Sequence, residues 1–556
     1  RLPPDATVRL GPMTTPRADT VICGQVVTAA EPDGLVTVES IGVAGGRIVS
    51  AGTRREVTDA AARGARVLDF GPQAVIPGLH DFHLHLPALA RARVALQLDD
   101  AAGGAEVVAR LRSAVARSRP DGWVTGRGWS EVQMASVPDG ALADAAGERL
   151  AYLSSHDGHS AWASPAALRL AGVGSETADP AGGRIERAPA GTPTGVLRET
   201  ALDLVAPFVA ELQGAALRAP LDDALRELAA MGLTGASEAG DYTDRNGIGA
   251  DAALGDSFSS LTDLGDLVDG RLRLTIGMPV DALRAASERG LSTGMPIVGR
   301  RTMRVGWAKE YADGALGSGT AALFEQRTCG DGGTGILRVD DAHLDRLFAT
   351  ARPAGIGLAI HAIGDRAVAA VLDAASRAEP RRPGPPRDRM EHAQLVRRAD
   401  ARRFAELDVT ASFQPIHAAA DRDLVETCWD GRQDDAYAWR ALVDAGAHLA
   451  AGSDAPVESV NPWLGIFTAV HRRMPEDGRG DWRAEQALSV AEALSAYTLG
   501  PARAIGADDE GHLRPGAKAD LVVLSASLDE VLAADERLAN VRSVLTLVDG
   551  EAVHSA

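Results

Sequence analysis

The chain has 556 residues, more than one hydrophobic core usually organises, so a large domain with additions, or two to three domains, is expected. Its formal charge of −19 at pH 7 argues against a nucleic-acid or anionic-membrane surface, because binding phosphates needs a basic footprint. The expected partner is a small-molecule substrate, and the expected assembly a homodimer. No window approaches the roughly 18 to 20 uninterrupted apolar residues of a membrane span, and no basic segment with an apolar run behind it opens the chain, which predicts a soluble, cytoplasmic protein. Cys23, Cys329 and Cys428 lack metal-type spacing and read as free structural thiols in a reducing compartment. The residues before Met13 read as a remnant of processing.

In chain order, short β-rich runs come first, at 21–29, at 40–51 around Gly45-Gly46, and at 66–70, which predicts a small antiparallel sheet. The far end repeats this texture at 519–524 and 541–553, where Asp549-Gly550 is a hairpin signal. The two ends, 17–76 and 506–556, are expected to pair into one small β-sandwich domain, since chain termini of compact proteins often lie close together. Between them, over 77–505, apolar runs alternate with helical patterns, the signature of βαβ units. Eight runs occur, at 74–85, 232–238, 272–278, 302–310, 356–361, 388–392, 409–414 and 447–454. They predict the α/β class and a TIM-like (β/α)8 barrel, with the active site at the C-terminal ends of the strands. Roughly 150 residues separate the first two runs, where a βα unit needs only about 30. The stretch 89–205, with Trp123, Trp129 and Trp162, therefore reads as an inserted subdomain, and 380–386 as an Arg/Pro-rich linker.

Metal-type side chains close these runs. His83 and His85, two apart, project from one face of a strand and can share an ion, although an isolated His-x-His is often coincidence. His361 and His392 end the fifth and sixth runs, where imidazole suits a borderline-soft metal such as zinc; either alone would read as a hydrogen-bonded core residue. Asp454 ends the eighth run and by itself could be a helix cap. Four strand ends presenting such residues together point to a site. Lys309 closes the fourth run. It is either a charge partner of Glu310 or Asp313, or a lysine that loses its proton in a buried mouth and adds carbon dioxide to become a carbamate.

At this point a resemblance appears. The run from Val75-Ile76-Pro77-Gly78 to His85 resembles the signature of the amidohydrolase superfamily, and 511–521 resembles its C-terminal return strand. Five blocks resemble the amidohydrolase-3 family, which contains the N-substituted formamide deformylases: 157–162, 309–319, 361–366, 391–394 and 452–457. The resemblance implies that His83 and His85 hold one divalent metal, with zinc expected, and His361 and His392 a second. It further implies that carboxylated Lys309 bridges the two and that Asp454 both ligates and shuttles protons, making Asp454, Lys309 and His361 the catalytic set. Ser164 and Gly319 depart from the family pattern, where Asn and Arg are common.

The pocket candidates are His159, Gln414, His417 and Glu238, with Trp129, Trp162 and Trp463 as an apolar wall; each could equally be a local packing or hydrogen-bonding residue. The expected activity is hydrolysis of a linear amide, an N-substituted formamide giving formate and an amine. The alternatives are hydrolysis of a cyclic amide, carbamate, ester or lactone, a metal-dependent decarboxylation, or a non-catalytic scaffold. A deaminase is disfavoured, because the segment 361–365 lacks the glutamate such sites place beside the fifth-strand histidine.

Overall fold

The computed structural model describes residues 16–119, 122–209, 214–240, 252–330, 332–379 and 384–556. The segment before Met13 and the start of the linker, 380–383, lie outside the described residues.

Eight parallel strands form the central sheet: Leu79–Leu84, Leu233–Glu238, Arg273–Pro279, Met303–Tyr311, Leu358–Ala362, Arg389–His392, Thr410–Phe413 and His448–Ala451. Consecutive strands are neighbours throughout, and the last returns to the first through the Leu84–Ala455 bridge. The second and third strands are buried along their whole length, as parallel strands covered on both faces must be, which is why they read as continuous apolar runs. These strands make the TIM-like barrel of the expected α/β class.

The apolar run at 74–85 divides between two sheets. Arg66–Pro77 belongs to a terminal sheet and Leu79–Leu84 to the barrel, with Gly78 as the seam. A Cβ at Gly78 would lie 2.0 Å from Thr234 Oγ1, so only glycine lets the chain pass so close to the second barrel strand. The terminal sheet has seven strands, in the order Glu551–Ser555, Ser543–Val548, Leu521–Ser527, Arg66–Pro77, Thr20–Glu31, Gly34–Ala44 and Arg47–Gly52. It is mixed rather than purely antiparallel, because Thr20–Glu31 pairs in parallel with Arg66–Pro77. Two-residue turns at Gly45-Gly46 and Asp549-Gly550 close its hairpins, all four residues having positive φ.

After the first barrel strand the chain builds a third sheet of six strands, ordered Gly183–Arg187, Pro193–Glu199, Ser160–Ala163, Leu150–Ser155, Trp123–Trp129 and Leu96–Gln97. This insertion has its own apolar core, in which Trp129 and Trp162 pack with Val107 and Leu111 of helix Gly104–Arg117. No described helix is long and apolar enough to cross a membrane.

Three free thiols are not found. Cys329, in the connection after the fourth barrel strand, and Cys428, at the end of helix Arg422–Cys428, form a disulfide, and buried Cys23 is the free thiol. The flanking backbone is tied as well, Thr328 N donating to Cys428 O at 3.0 Å. The pair is 99 residues apart in sequence, a separation that spacing rules for metal sites do not register. With it the cysteine argument for a reducing compartment falls away. Thiol titration of the denatured protein without reductant should find the Cys23 thiol alone, and all three cysteines only after reduction.

A buried ion cluster fastens the floor of the barrel to the terminal sheet. Arg273, at the start of the third strand, pairs with Asp520 and Asp549, while Arg304 and Lys518 converge on Glu510. Burial alone would raise the Glu510 carboxyl, but Arg304, Lys518 and Arg273 outweigh it and hold the pKa at about 2 against 4.5 normally. A carboxyl lowered on folding stabilises the fold above its unfolded pKa, and that contribution is lost as pH falls through the folded value. Glu510→Gln should therefore cost on the order of 3 kcal/mol at pH 7. In thermal melts the gap to the parent protein should close as pH is lowered from 4.5 towards about 2.

Candidate metal centre

The mouth of the barrel gathers the strand-end residues. The ligand atoms of His83, His85 and Asp454 lie within 4.8 Å of one another, and those of His392, His417 and Asp454 form a second such group. Asp454 is common to both. Its Oδ1 is 3.3 Å from His83 Nε2 and 3.2 Å from His85 Nε2, and its Oδ2 is 3.2 Å from His417 Nε2. His361 stands beside these groups, its ring centre 4.6 Å from that of His392. Lys309 is buried, with Nζ 4.8 Å from the centre of the Tyr311 ring.

Two of these residues have backbones that L-residues rarely adopt: φ is 69° at His392 and 59° at Asp454. Each such conformation costs on the order of 1 to 3 kcal/mol and persists only where its surroundings enforce it. At His392 it ends the sixth strand, so that the ring turns to within 4.9 Å of His83 rather than following strand alternation.

Neighbouring groups fix the ring orientations. His83 Nδ1 bonds Glu391, which is paired in turn with Arg389, whose guanidinium lies 3.8 Å over the Phe82 ring. His392 Nδ1 donates to Gln414 Oε1 at 2.8 Å, and His361 Nε2 to Gly314 O at 3.1 Å. Asp313 lies 3.5 Å from His361 Nε2 and accepts from Ile363 N, Gly364 N and Ala322 N at 2.8 to 3.0 Å. These contacts leave Nε2 of His83 and His392 and Nδ1 of His361 with lone pairs for a metal. Among the described residues, His83 Nε2 and Lys309 Nζ are buried without a hydrogen-bond partner, as atoms awaiting a ligand would be.

The electrostatics divide the histidines. Burial, with the charges of His392, His159 and Lys309, drives His361 well below its usual value, and burial does the same to His392. Both are neutral imidazoles able to ligate. His417 behaves oppositely: burial would lower it, but hydrogen bonds to Asp454 and Glu458 raise it to about 10. A protonated imidazole has no lone pair to offer a metal. Burial would raise Asp454, yet His83 and His417 hold it well below the carboxylate range. Burial pushes the Lys309 ammonium down to about 8, against the pull of Glu391 and Asp454.

Above these residues opens a cavity of about 760 Å³, walled by the barrel and by the insertion. His159, Trp129, His417 and Glu238 line it, and His159 Nδ1 is held by Glu199 at 3.0 Å. Gln414, Trp162 and Trp463 do not. Gln414 is buried behind His392 and orients that ring; Trp162 packs in the insertion core; Trp463 packs in the barrel core, its Nε1 donating to Met231 O. Ser164 caps helix Pro165–Leu170 and is a structural residue. Beside Gly319 lies the Arg327 guanidinium, which donates to the Gly319 carbonyl. Sequence reasoning gave Glu391 no role and took Asp313 only as a possible charge partner of Lys309, and it gave none to Glu199 or Glu458. The first two stand in the blocks that carry the resemblance, whereas Glu199 meets His159 only through the fold of the insertion.

Gln414→Met should weaken divalent-metal affinity about 10- to 100-fold in chelator competition, because His392 loses the acceptor that sets its ring. A direct substrate contact would instead raise KM and leave metal affinity unchanged.

The amidohydrolase family profile matches residues 66–554. The chain is 31% identical to Protein LONG AFTER FAR-RED 3 of Arabidopsis thaliana over 503 residues, covering 88% of this chain and 84% of that protein. It is 29% identical to the N-substituted formamide deformylase of Arthrobacter pascens over 540 residues, 92% and 94% of the two chains. Among solved structures, an uncharacterized metal-dependent hydrolase from Pyrococcus horikoshii superimposes with a TM-score of 0.72 at 25% identity, covering 93% of this chain and 99% of that one. With the profile running from strand Arg66–Pro77 of the terminal sheet through the barrel to the C-terminal strands, this chain belongs to the amidohydrolase family of hydrolases.

Proposed function

We propose that the protein is a metal-dependent hydrolase of linear amides, with N-substituted formamides as substrates and formate and an amine as products. The observation that carries this reading is Asp454, a buried carboxylate held ionised at the meeting point of both histidine groups. The donor set fits a divalent metal: imidazole nitrogens and a carboxylate suit zinc, and His83 Nε2 and Lys309 Nζ are buried without hydrogen-bond partners among the described residues. His83, His85 and Asp454 would hold one ion, and His361 and His392 a second. Lys309, its ammonium weakened by burial, would add to carbon dioxide. The Nζ lone pair would form the new N–C bond as a C=O pair moves to oxygen and Nζ releases a proton, giving a carbamate whose oxygens could join the ligand set.

When bound, the metal supplies an acidified water, with a pKa lowered from about 15.7 towards about 7, and polarises the substrate carbonyl. Asp454 accepts the proton of the attacking water and returns it to the nitrogen of the departing amine. His417, held protonated by Asp454 and Glu458, keeps the Asp454 carboxylate oriented by a hydrogen bond to Oδ2. The apolar part of the cavity wall accommodates the amine substituent. The Arthrobacter deformylase, similar over nearly its whole length, supports the formamide class.

Asp454→Asn with its metal retained should lose about 100- to 10,000-fold in kcat; full activity would remove Asp454 from the proton role. A hydrolysis screen over formamides, acylated amino acids, lactones and carbamates tests the substrate. Turnover of lactones alone would overturn the amide assignment and leave the metal site standing.

A further inference from the structure

The cavity over the metal centre is far larger than a formyl group requires, and its wall carries a cation that forms no ion pair among the described residues. Arg127 lies on strand Trp123–Trp129 of the insertion and lines the cavity. Its Nη2 donates to the carbonyl of Pro456, two residues beyond Asp454. Among the described residues its guanidinium makes no other hydrogen bond and no ion pair. Three other charges on the wall are matched: Arg91 meets Asp256 at 2.9 Å, Glu131 meets Arg198 at 2.7 Å, and Asp423 meets Arg479 at 2.6 Å. Burial pushes Arg127 below the usual arginine range, and Asp99 and Glu458 oppose this only through space.

A guanidinium presents five N–H donors in a planar fork that matches a carboxylate, and Pro456 engages one arm. Two residues of chain span at most about 7 Å, so the fork sits no farther than on the order of 10 Å from Asp454. That leaves room for a few atoms between a scissile carbonyl at Asp454 and an acidic group at Arg127.

We propose that Arg127 determines specificity, and that the substrates are amides whose N-substituent ends in a carboxylate, which the Arg127 fork receives. This rests on the amide-hydrolase reading above and adds the substrate's charge to it. The barrel would carry the chemistry, and the insertion would select the molecule by an ion pair.

Calorimetry on the full-length, metal-loaded protein tests this with 4-aminobutyrate, 5-aminopentanoate and 6-aminohexanoate, each against its uncharged carboxamide. At least one carboxylate should bind about tenfold or more tightly than its carboxamide, the worth of a charge-assisted hydrogen bond. The preference should fall below about twofold in Arg127→Gln and be partly kept in Arg127→Lys. Thermal melts of both variants check that the fold is intact. No preference at any length, or a preference that survives Arg127→Gln, overturns the proposal. Hydrolysis of the corresponding formamides separates the two readings. Carboxylate preference in binding without formamide turnover upholds Arg127 and sinks the amide assignment, whereas equal turnover of charged and uncharged formamides sinks Arg127 and upholds the amide assignment.

Discussion

The site depends on how the barrel closes. Asp454 N donates to His83 O at 2.7 Å, and His85 N donates to Ala455 O at 2.9 Å, so the last strand is stitched to the first at the level of their metal-type side chains. The same backbone bonds that complete the sheet therefore set the spacing of His83, His85 and Asp454. A parallel barrel can do this because its first and last strands, remote in sequence, must become neighbours. The positive φ at Asp454 is part of that closure: the chain leaves the strand direction where the carboxylate must turn towards the histidines.

Around this seam the protein buries charge at considerable cost and compensates it locally. Arg389, Glu391 and His83 form a chain of contacts in which no member has access to water, and the Phe82 ring covers the guanidinium. Buried ion pairs contribute little net stability but strongly constrain geometry. Here they fix the tautomer and direction of a ring whose other nitrogen faces the centre. Asp313 acts comparably on the loop after His361 and on the connection after the fourth strand, accepting the N–H groups of Ile363, Gly364 and Ala322.

The division of labour follows the architecture. Ligand-type residues stand on barrel strands or just beyond their ends, on a deeply packed scaffold. Much of the cavity wall comes from the insertion and from the connections after the fourth and seventh strands, the two segments that the Cys329–Cys428 disulfide joins. Loops and insertions on a rigid scaffold can vary without disturbing the centre, so relatives sharing the barrel can differ in what they admit.

The eight barrel strands were legible in the sequence because a strand covered on both faces needs apolar residues throughout, and the metal-type residues because each closes such a run. Asp549-Gly550 and Gly45-Gly46 were legible because two-residue hairpins demand positive φ. The break at Gly78 was not, since one apolar run serves two sheets and only the proximity of Thr234 reveals the seam. Gln414, Trp162 and Trp463 looked like pocket residues by type and position, but which side of a wall a side chain occupies is settled by packing from distant segments. The Cys329–Cys428 pair, the hold of Glu199 on His159 and the place of the Arg127 fork on the cavity wall have the same origin. Local periodicity and residue chemistry determined the barrel and its candidate ligands; contacts between residues remote in sequence, visible only once the chain has folded, decided which groups support the centre and which face the substrate.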